Sequence, residues 1–378
     1  MIRVRLSTFF ALATELEGRF GAGVDSPWTD ADFEALALAA FAIQFESIEA
    51  YRLFCLGRGR TPKTVRSWQD VPPVPATAFK HFDFAVGSGN LSPEMTFRTS
   101  GTTRGATVRG RHLVPRASLY RKSLLPPFER HVLGGRVRMP FLSLVPAPAE
   151  RPDSSLSFMI GAAAEAYATE TSWLIDAQGA LDIVGWRRAA ERSALDHLPV
   201  VVLATSLALL HLVESLEADP GPPLPDGSRM METGGFKGSG REIERGELHA
   251  RASAATGVPS HRVVGEYGMT ELLSQLYEPV LTEGGDAAGE YVSPPWMRVR
   301  ALDPMTLAGL PDGHEGVLAF FDLANAGSVC HVLTEDVGSV SDGRVRLSGR
   351  ARGAEPRGCS LAMDELLSAA RAAGTDPA

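Results

Sequence analysis

The sequence predicts an α/β protein with layered, mostly parallel sheets and a smaller β-rich part. Between a hydroxyl-rich run at 96–105 and residue 270, short apolar or β-branched runs alternate with stretches of helical periodicity, the pattern of parallel strands buried between helices. After residue 285, short strands punctuated by Gly and Asp take over. With 378 residues, 44% of them hydrophobic, the chain has material for a substantial core, in one large domain or two to three smaller ones.

Residues 29–56 have helical spacing: Thr29 can cap, and Phe33, Leu36, Ala37, Ala40, Phe41, Ile48 and Tyr51 fall near i, i+3, i+4. That face is core, and Cys55 at its end reads as a packing residue, since thiols are commonly buried as small apolar groups. Val71-Pro72-Pro73-Val74-Pro75 stops any helix, because proline lacks the N–H and restricts its predecessor. In the Ala78–Phe82 segment that follows, Lys80 and His81 are either within reach of a ligand or part of a structural lead into the large domain. Phe141–Val145, Val200–Ala204 and Arg262–Gly265 read as buried strands, and Gly185–Asp196, Leu207–Leu216 and Arg241–Thr256 as helices. Residues 148–156 and 218–228, rich in Pro, Asp and Ser, are loops. Gly316–Leu323 and Arg344–Leu347 are short strands, and Met363–Ala372 a short helix. The expected organisation is an N-terminal helical segment over 1–70, a large domain over 71–350 and a short tail over 351–378 that carries Cys359.

Net charge of −8 and pI near 5.7 argue against a general nucleic-acid or anionic-membrane surface. Cys55, Cys330 and Cys359 have no C-x-x-C spacing, so neither a disulfide framework nor a zinc knuckle is expected. With no signal peptide and no apolar window long enough for a bilayer span, reduced thiols in the cytoplasm are the expectation. Lysine is scarce: Lys63, Lys80, Lys122 and Lys237.

The hydroxyl-rich run is Thr96-Phe97-Arg98-Thr99-Ser100-Gly101-Thr102-Thr103-Arg104-Gly105. Glycines let a backbone turn its N–H groups toward an anion and hydroxyls add donors, so the run suits phosphate, although it is not a Walker A loop and such runs also serve as solvated turns. Downstream come Thr233-Gly234-Gly235-Phe236-Lys237-Gly238, Gly265-Glu266-Tyr267-Gly268-Met269-Thr270-Glu271, Thr334-Glu335-Asp336-Val337-Gly338 and Ser348-Gly349-Arg350. This ordered set, over roughly residues 70 to 365, resembles the adenylate-forming superfamily of acyl-CoA ligases, adenylation domains and luciferase-like enzymes. Within it the likeness is to the acyl-protein synthetases of bacterial bioluminescence, which activate a fatty acid with ATP and load it on a cysteine of their own.

The resemblance implies the large domain of that superfamily, with ATP and Mg2+ at the site. Thr99, Ser100, Gly101, Thr102 and Thr103 would hold the β- and γ-phosphates. Gly234, Gly235 and Phe236 would pass flat against adenine, with Tyr267 stacked on its other face beside Gly268 and Met269. Thr270 would donate to the α-phosphate, Glu271 would bind magnesium, Asp336 would accept the ribose hydroxyls and Arg350 would stand at the hinge after the large domain.

The sequence also departs from the pattern. The usual lysine of the phosphate loop is replaced by Arg104-Gly105-Ala106-Thr107, with Arg104, Arg109 or Arg111 as substitute cations. The superfamily continues past the Arg350 position into a small domain with a catalytic lysine, whereas here only a short tail follows and no lysine comes after Lys237, the remaining candidate near the nucleotide. Cys359 matches the position of the acyl-accepting cysteine, and nearby Arg352 and Arg357, a flanking glycine and a following helix N-terminus would favour its thiolate. The implied function is activation of a carboxylic, fatty acid to acyl-adenylate, transfer to Cys359 and passage to a partner acyl reductase or other acceptor protein. Alternatives are delivery to CoA or a carrier protein, or a catalytically silent nucleotide- or acyl-binding relative.

Overall fold

In the computed structural model, residues 2–87, 91–99, 109–234, 243–350 and 357–372 are described. The N-terminal part is helical: α1 (Ile2–Gly21), α2 (Asp30–Ser47) and α3 (Glu49–Gly57). Thr29 caps α2 in a capping box, accepting from the Asp32 N–H at 3.0 Å while Asp32 accepts from the Thr29 N–H. The single helix expected over 29–56 is broken at Ile48, which adopts an extended conformation and starts α3 in a new direction.

The strands and helices that follow are β1 (Val74–Pro75), β2 (Met95–Arg98), β3 (Arg111–Val114), α4 (Ala117–His131), β4 (Met139–Leu144), α5 (Ser155–Tyr167), β5 (Ala168–Trp173), α6 (Ile183–Asp196), β6 (Val201–Thr205), α7 (Ser206–Ala218), β7 (Arg229–Thr233), α8 (Arg245–Thr256) and β8 (Val263–Tyr267). The C-terminal part contains β9 (Leu276–Tyr277), α9 (Val280–Glu283), β10 (Glu290–Val292), β11 (Met297–Leu302), β12 (Glu315–Asp322), β13 (His331–Ser341), β14 (Arg344–Arg350) and α10 (Arg357–Ala372).

Twelve of these strands form one mixed sheet in the order β11-β12-β13-β14-β10-β9-β8-β7-β6-β4-β5, with β1 beside β13. From β5 to β8 the pairing is parallel; from β8 to β11 it is antiparallel. The β-rich part is therefore a continuation of the same sheet, and β2 pairs with β3 apart from it.

The parallel half is covered on both faces. Along β6, Val201 and Leu203 join the core beneath α1–α5, while Val202 and Ala204 join the one under α6, α7 and α8. β4 and β7 divide in the same way, with Phe141 and Met231 on one side and Leu142 and Met230 on the other. A strand buried on both faces favours apolar residues at successive positions, which is why Val201–Ala204 reads as a continuous apolar run, while β7 keeps only Met230 and Met231 between polar residues. The N-terminal helices belong to the same core as the large domain: the Gln44 amide donates to the Asn325 and Ala326 carbonyls, and Phe33 meets Phe321 edge to face. Among the described residues no helix is long and apolar enough to cross a membrane.

Candidate active site

A cleft of about 300 Å³ opens at the carboxyl ends of β6, β7 and β8, where an α/β sheet leaves a crevice between diverging connections. Thr205, Thr233 and Glu266 line it from the last turns of those strands, and Gly268, Met269, Thr270 and Glu271 from the loop after β8. Thr334, Glu335 and Asp336 of β13 and Arg350 of β14 form a second wall, and Ala76, Thr77 and Lys80 a third. Tyr120, Ser155, Met159 and Gln275 also contribute.

Motifs far apart in the chain meet here for identifiable reasons. Antiparallel pairing of β13 with β14 sets Asp336 opposite Arg350, whose Nε donates to Asp336 Oδ1 at 3.1 Å. Tyr267 donates its hydroxyl to Asp336 Oδ2 at 2.7 Å, so the carboxylate is oriented from both sides. Gly234 has φ +81°, the left-handed region that favours glycine, and a Cβ built on it would meet none of the described residues. At Gly268 a Cβ would lie 2.5 Å from Glu266 Oε1, so a side chain there would have to push this buried carboxyl aside.

His112, Asn325 and Asp322 are among the groups that hold the 268–275 loop from below. His112 Nδ1 donates to the Thr270 carbonyl at 2.8 Å, and Asn325 Nδ2 to the Glu271 carbonyl at 2.8 Å. Asp322, at the end of β12, accepts from the Leu273 N–H at 3.0 Å and the Ser274 hydroxyl at 2.7 Å. Burial lowers the His112 pKa to about 4, which leaves it neutral near pH 7 with its proton on Nδ1. Burial raises Asp322 to about 6 and Glu266 to about 7, the latter despite the hydrogen bond it accepts from Thr233.

Of the residues expected from sequence, Thr99, Gly234, Gly268, Met269, Thr270, Glu271, Asp336 and Arg350 line the cleft together. Ser100, Gly101, Thr102, Thr103, Gly235, Phe236 and Lys237 lie outside the described residues, as does Arg104. Thr99 closes the β2–β3 hairpin, its hydroxyl accepting from the Gly110 N–H at 2.9 Å. Tyr267 is not among the lining residues: one face of its ring packs on Phe320, with centroids 5.4 Å apart, and its hydroxyl is given to Asp336. Arg109 and Arg111, considered as substitutes for the loop lysine, pair instead with Asp153 at 2.9 Å and Asp83 at 3.1 Å.

Cys359 is not in a free tail. It lies in the first turn of α10, which begins at Arg357 rather than Met363, and is only 2% exposed. Its Sγ donates to the Thr334 carbonyl at 3.7 Å, so the thiol sits behind the strand that lines the cleft. Gly358 serves close packing rather than freedom, because a Cβ there would be 2.7 Å from Leu307. Arg352 lies outside the described residues.

Sequence reading missed His112, Asp322 and Asn325, which position the loop without forming a motif. A signal existed for the last two: Asp322-Leu-Ala-Asn325 interrupts the apolar stretch that starts in β12, and polar residues inside such a run are buried with partners.

A crystal structure of a 2-hydroxyisobutyryl-CoA ligase in complex with 2-HIB-AMP matches with a TM-score of 0.58 at 14% identity, over 85% of this chain and 68% of that one. The fold is thus that of the adenylate-forming, acyl-CoA ligase type. The model of the acyl-protein synthetase family, LuxE, matches residues 29–368, and the chain belongs to that family. Two long-chain-fatty-acid–luciferin-component ligases are similar over a shorter stretch: the one from Vibrio harveyi is 32% identical and the one from Aliivibrio fischeri 31%, each over 83 residues. Either match takes in 20% of this chain and 22% of the relative.

Proposed function

We propose that this chain is an AMP-forming ligase of the cytoplasm that activates a fatty acid with ATP. A carboxylate oxygen attacks the α-phosphorus, the bond to pyrophosphate breaks, and an acyl-adenylate is left in the cleft. The observation that carries the reading is the convergence of Gly234, Thr270-Glu271, Asp336 and Arg350 from separate motifs on one cleft at the strand ends. Asp336 accepts from the ribose hydroxyls, Thr270 donates to the α-phosphate and Gly234 lies along the base. Glu271 holds magnesium together with the phosphates. Among the described residues no group of three acidic, His or Cys side chains could form an all-protein metal site, which suits a cation bound by one or two carboxylates plus substrate phosphates. The fatty acid is supported by the names of the two luciferin-component ligases.

The acyl group then passes to a thiol: the thiolate of Cys359 attacks the acyl carbon, AMP leaves, and the thioester goes on to a partner acyl reductase or other acceptor. The burial of Cys359 favours a second reading, in which CoA or a carrier protein takes the acyl group directly. ATP–pyrophosphate exchange across a panel of fatty acids, followed by intact mass measurement, tests both. One acyl mass labile to neutral hydroxylamine, lost in Cys359→Ser while exchange survives, supports self-acylation. Turnover only with CoA or a carrier, and equal in Cys359→Ser, supports the second reading. No exchange with any acid overturns adenylation.

A further inference from the structure

Adenylation presses a carboxylate against a triphosphate, and the developing charge needs a cation placed in advance. Among the described cleft residues two are cationic, Lys80 and Arg350. Arg350 is already spent on Asp336 at 3.1 Å and Glu335 at 3.3 Å. Lys63 and Lys122 are exposed and outside the cleft. Lys80 lines the cleft and has no carboxylate partner among the described residues.

Its setting is built rather than incidental. Lys80 ends a 3-10 helix, Ala76–Lys80, in which residues three apart eclipse one another, so Thr77 and Lys80 share one face and both line the cleft. The opposite face is anchored by Ala78 and Phe79, both buried. The helix is tied to the site because β1 pairs in parallel with β13, Val74 opposite Val332 and Pro75 opposite Leu333, immediately before Thr334–Asp336. Among the described residues the Thr77 hydroxyl is buried and has no hydrogen-bond partner. A buried hydroxyl without a partner costs free energy that a bound anion would offset.

We propose that Lys80, with the Thr77 hydroxyl beside it, is a catalytic residue that binds the reacting phosphate in place of the lysine missing from the phosphate loop. It neither gives nor takes a proton; it neutralises charge while the carboxylate–phosphorus bond forms and pyrophosphate leaves. The assignment rests on the adenylation reading. In pyrophosphate exchange with the full chain, Lys80→Gln is expected to lower kcat about 10²- to 10³-fold, as for removal of one transition-state donor. Lys80→Arg should recover part of the rate, Thr77→Val should raise the KM for ATP with a smaller loss of kcat, and Lys122→Gln should match the wild type. All should melt at the wild-type temperature. Normal exchange in Lys80→Gln, or equal losses in Lys80→Gln and Lys80→Arg accompanied by a lower melting temperature, overturns the assignment while leaving adenylation standing. Should the wild type exchange with no acid, adenylation itself falls, and ATP binding by calorimetry decides the rest: at least tenfold weaker binding in Lys80→Gln retains Lys80 as a phosphate ligand, and equal binding removes it.

Discussion

At the scale of single residues, the site separates groups that face the cleft from groups that hold them. Glu271 faces the cleft, while its carbonyl is held from behind by Asn325. Glu271→Gln keeps the size of the side chain and the backbone contact but offers magnesium a neutral amide, a much poorer ligand for a hard dication. Magnesium-dependent pyrophosphate exchange should therefore be lost, with the melting temperature unchanged; exchange at the normal rate would refute the metal role. Burial pushes Cys55 up to about 12, and Cys330 higher still, so neither is a nucleophile at neutral pH.

At the scale of elements, the decisive piece is the 268–275 loop, which is pinned by β3 through His112 and by the end of β12 through Asp322. Asp322→Ala would orphan the Leu273 N–H and the Ser274 hydroxyl, at about 1–3 kcal/mol for each buried donor. The variant should melt earlier and exchange pyrophosphate more slowly, although Asp322 is not among the residues lining the cleft. Thermal melting and exchange, measured on the same preparation, check this; wild-type values in both would show that the loop holds itself. The helix α10 is a second case. It is docked through an ion pair of Arg58 with Glu365 at 2.7 Å and through the close approach of Gly358 to Pro304 and Leu307, and this docking buries Cys359.

At the scale of the whole molecule, the mixed sheet makes stability depend on pH through carboxyls buried where its halves meet. Glu266 keeps its proton to about pH 7 in the native state, whereas the unfolded chain releases it near 4.5. Between these values the native state holds the extra proton, so stability falls as pH rises and is flat above. Asp322, raised to about 6, acts in the same direction; His112 and His131, lowered to about 4, act in the opposite one below pH 6.5. Glu266→Gln removes only the first contribution. The stability of the variant relative to wild type should therefore rise between pH 5 and 7, by on the order of 2–3 kcal/mol. Urea unfolding across that range measures it, and a difference that stays constant with pH would contradict the buried, protonated state of Glu266.

What the sequence determined by itself was the α/β class, the strands and helices with strong periodicity, and the order of the glycine-, hydroxyl- and acid-bearing motifs. These are local signals: β6 is apolar from Val201 to Ala204 because both of its faces are covered, and Thr29 precedes an acidic third residue because the α2 N–H groups need acceptors. The helices at Ile2–Gly21, Ala117–His131 and Ser155–Tyr167 were not legible. The second contains Pro126-Pro127, which reads as a stop, and the third starts inside a stretch whose Pro, Asp and Ser content reads as loop. Only the tertiary structure decided that the β-rich part continues the same sheet, that Lys80 faces the cleft, that His112 and Asp322 support the loop and that Cys359 is covered. Each of these depends on pairings and packing between segments far apart in the chain, such as β1 with β13 or α10 with α3, whose free energy leaves no periodic trace in either segment.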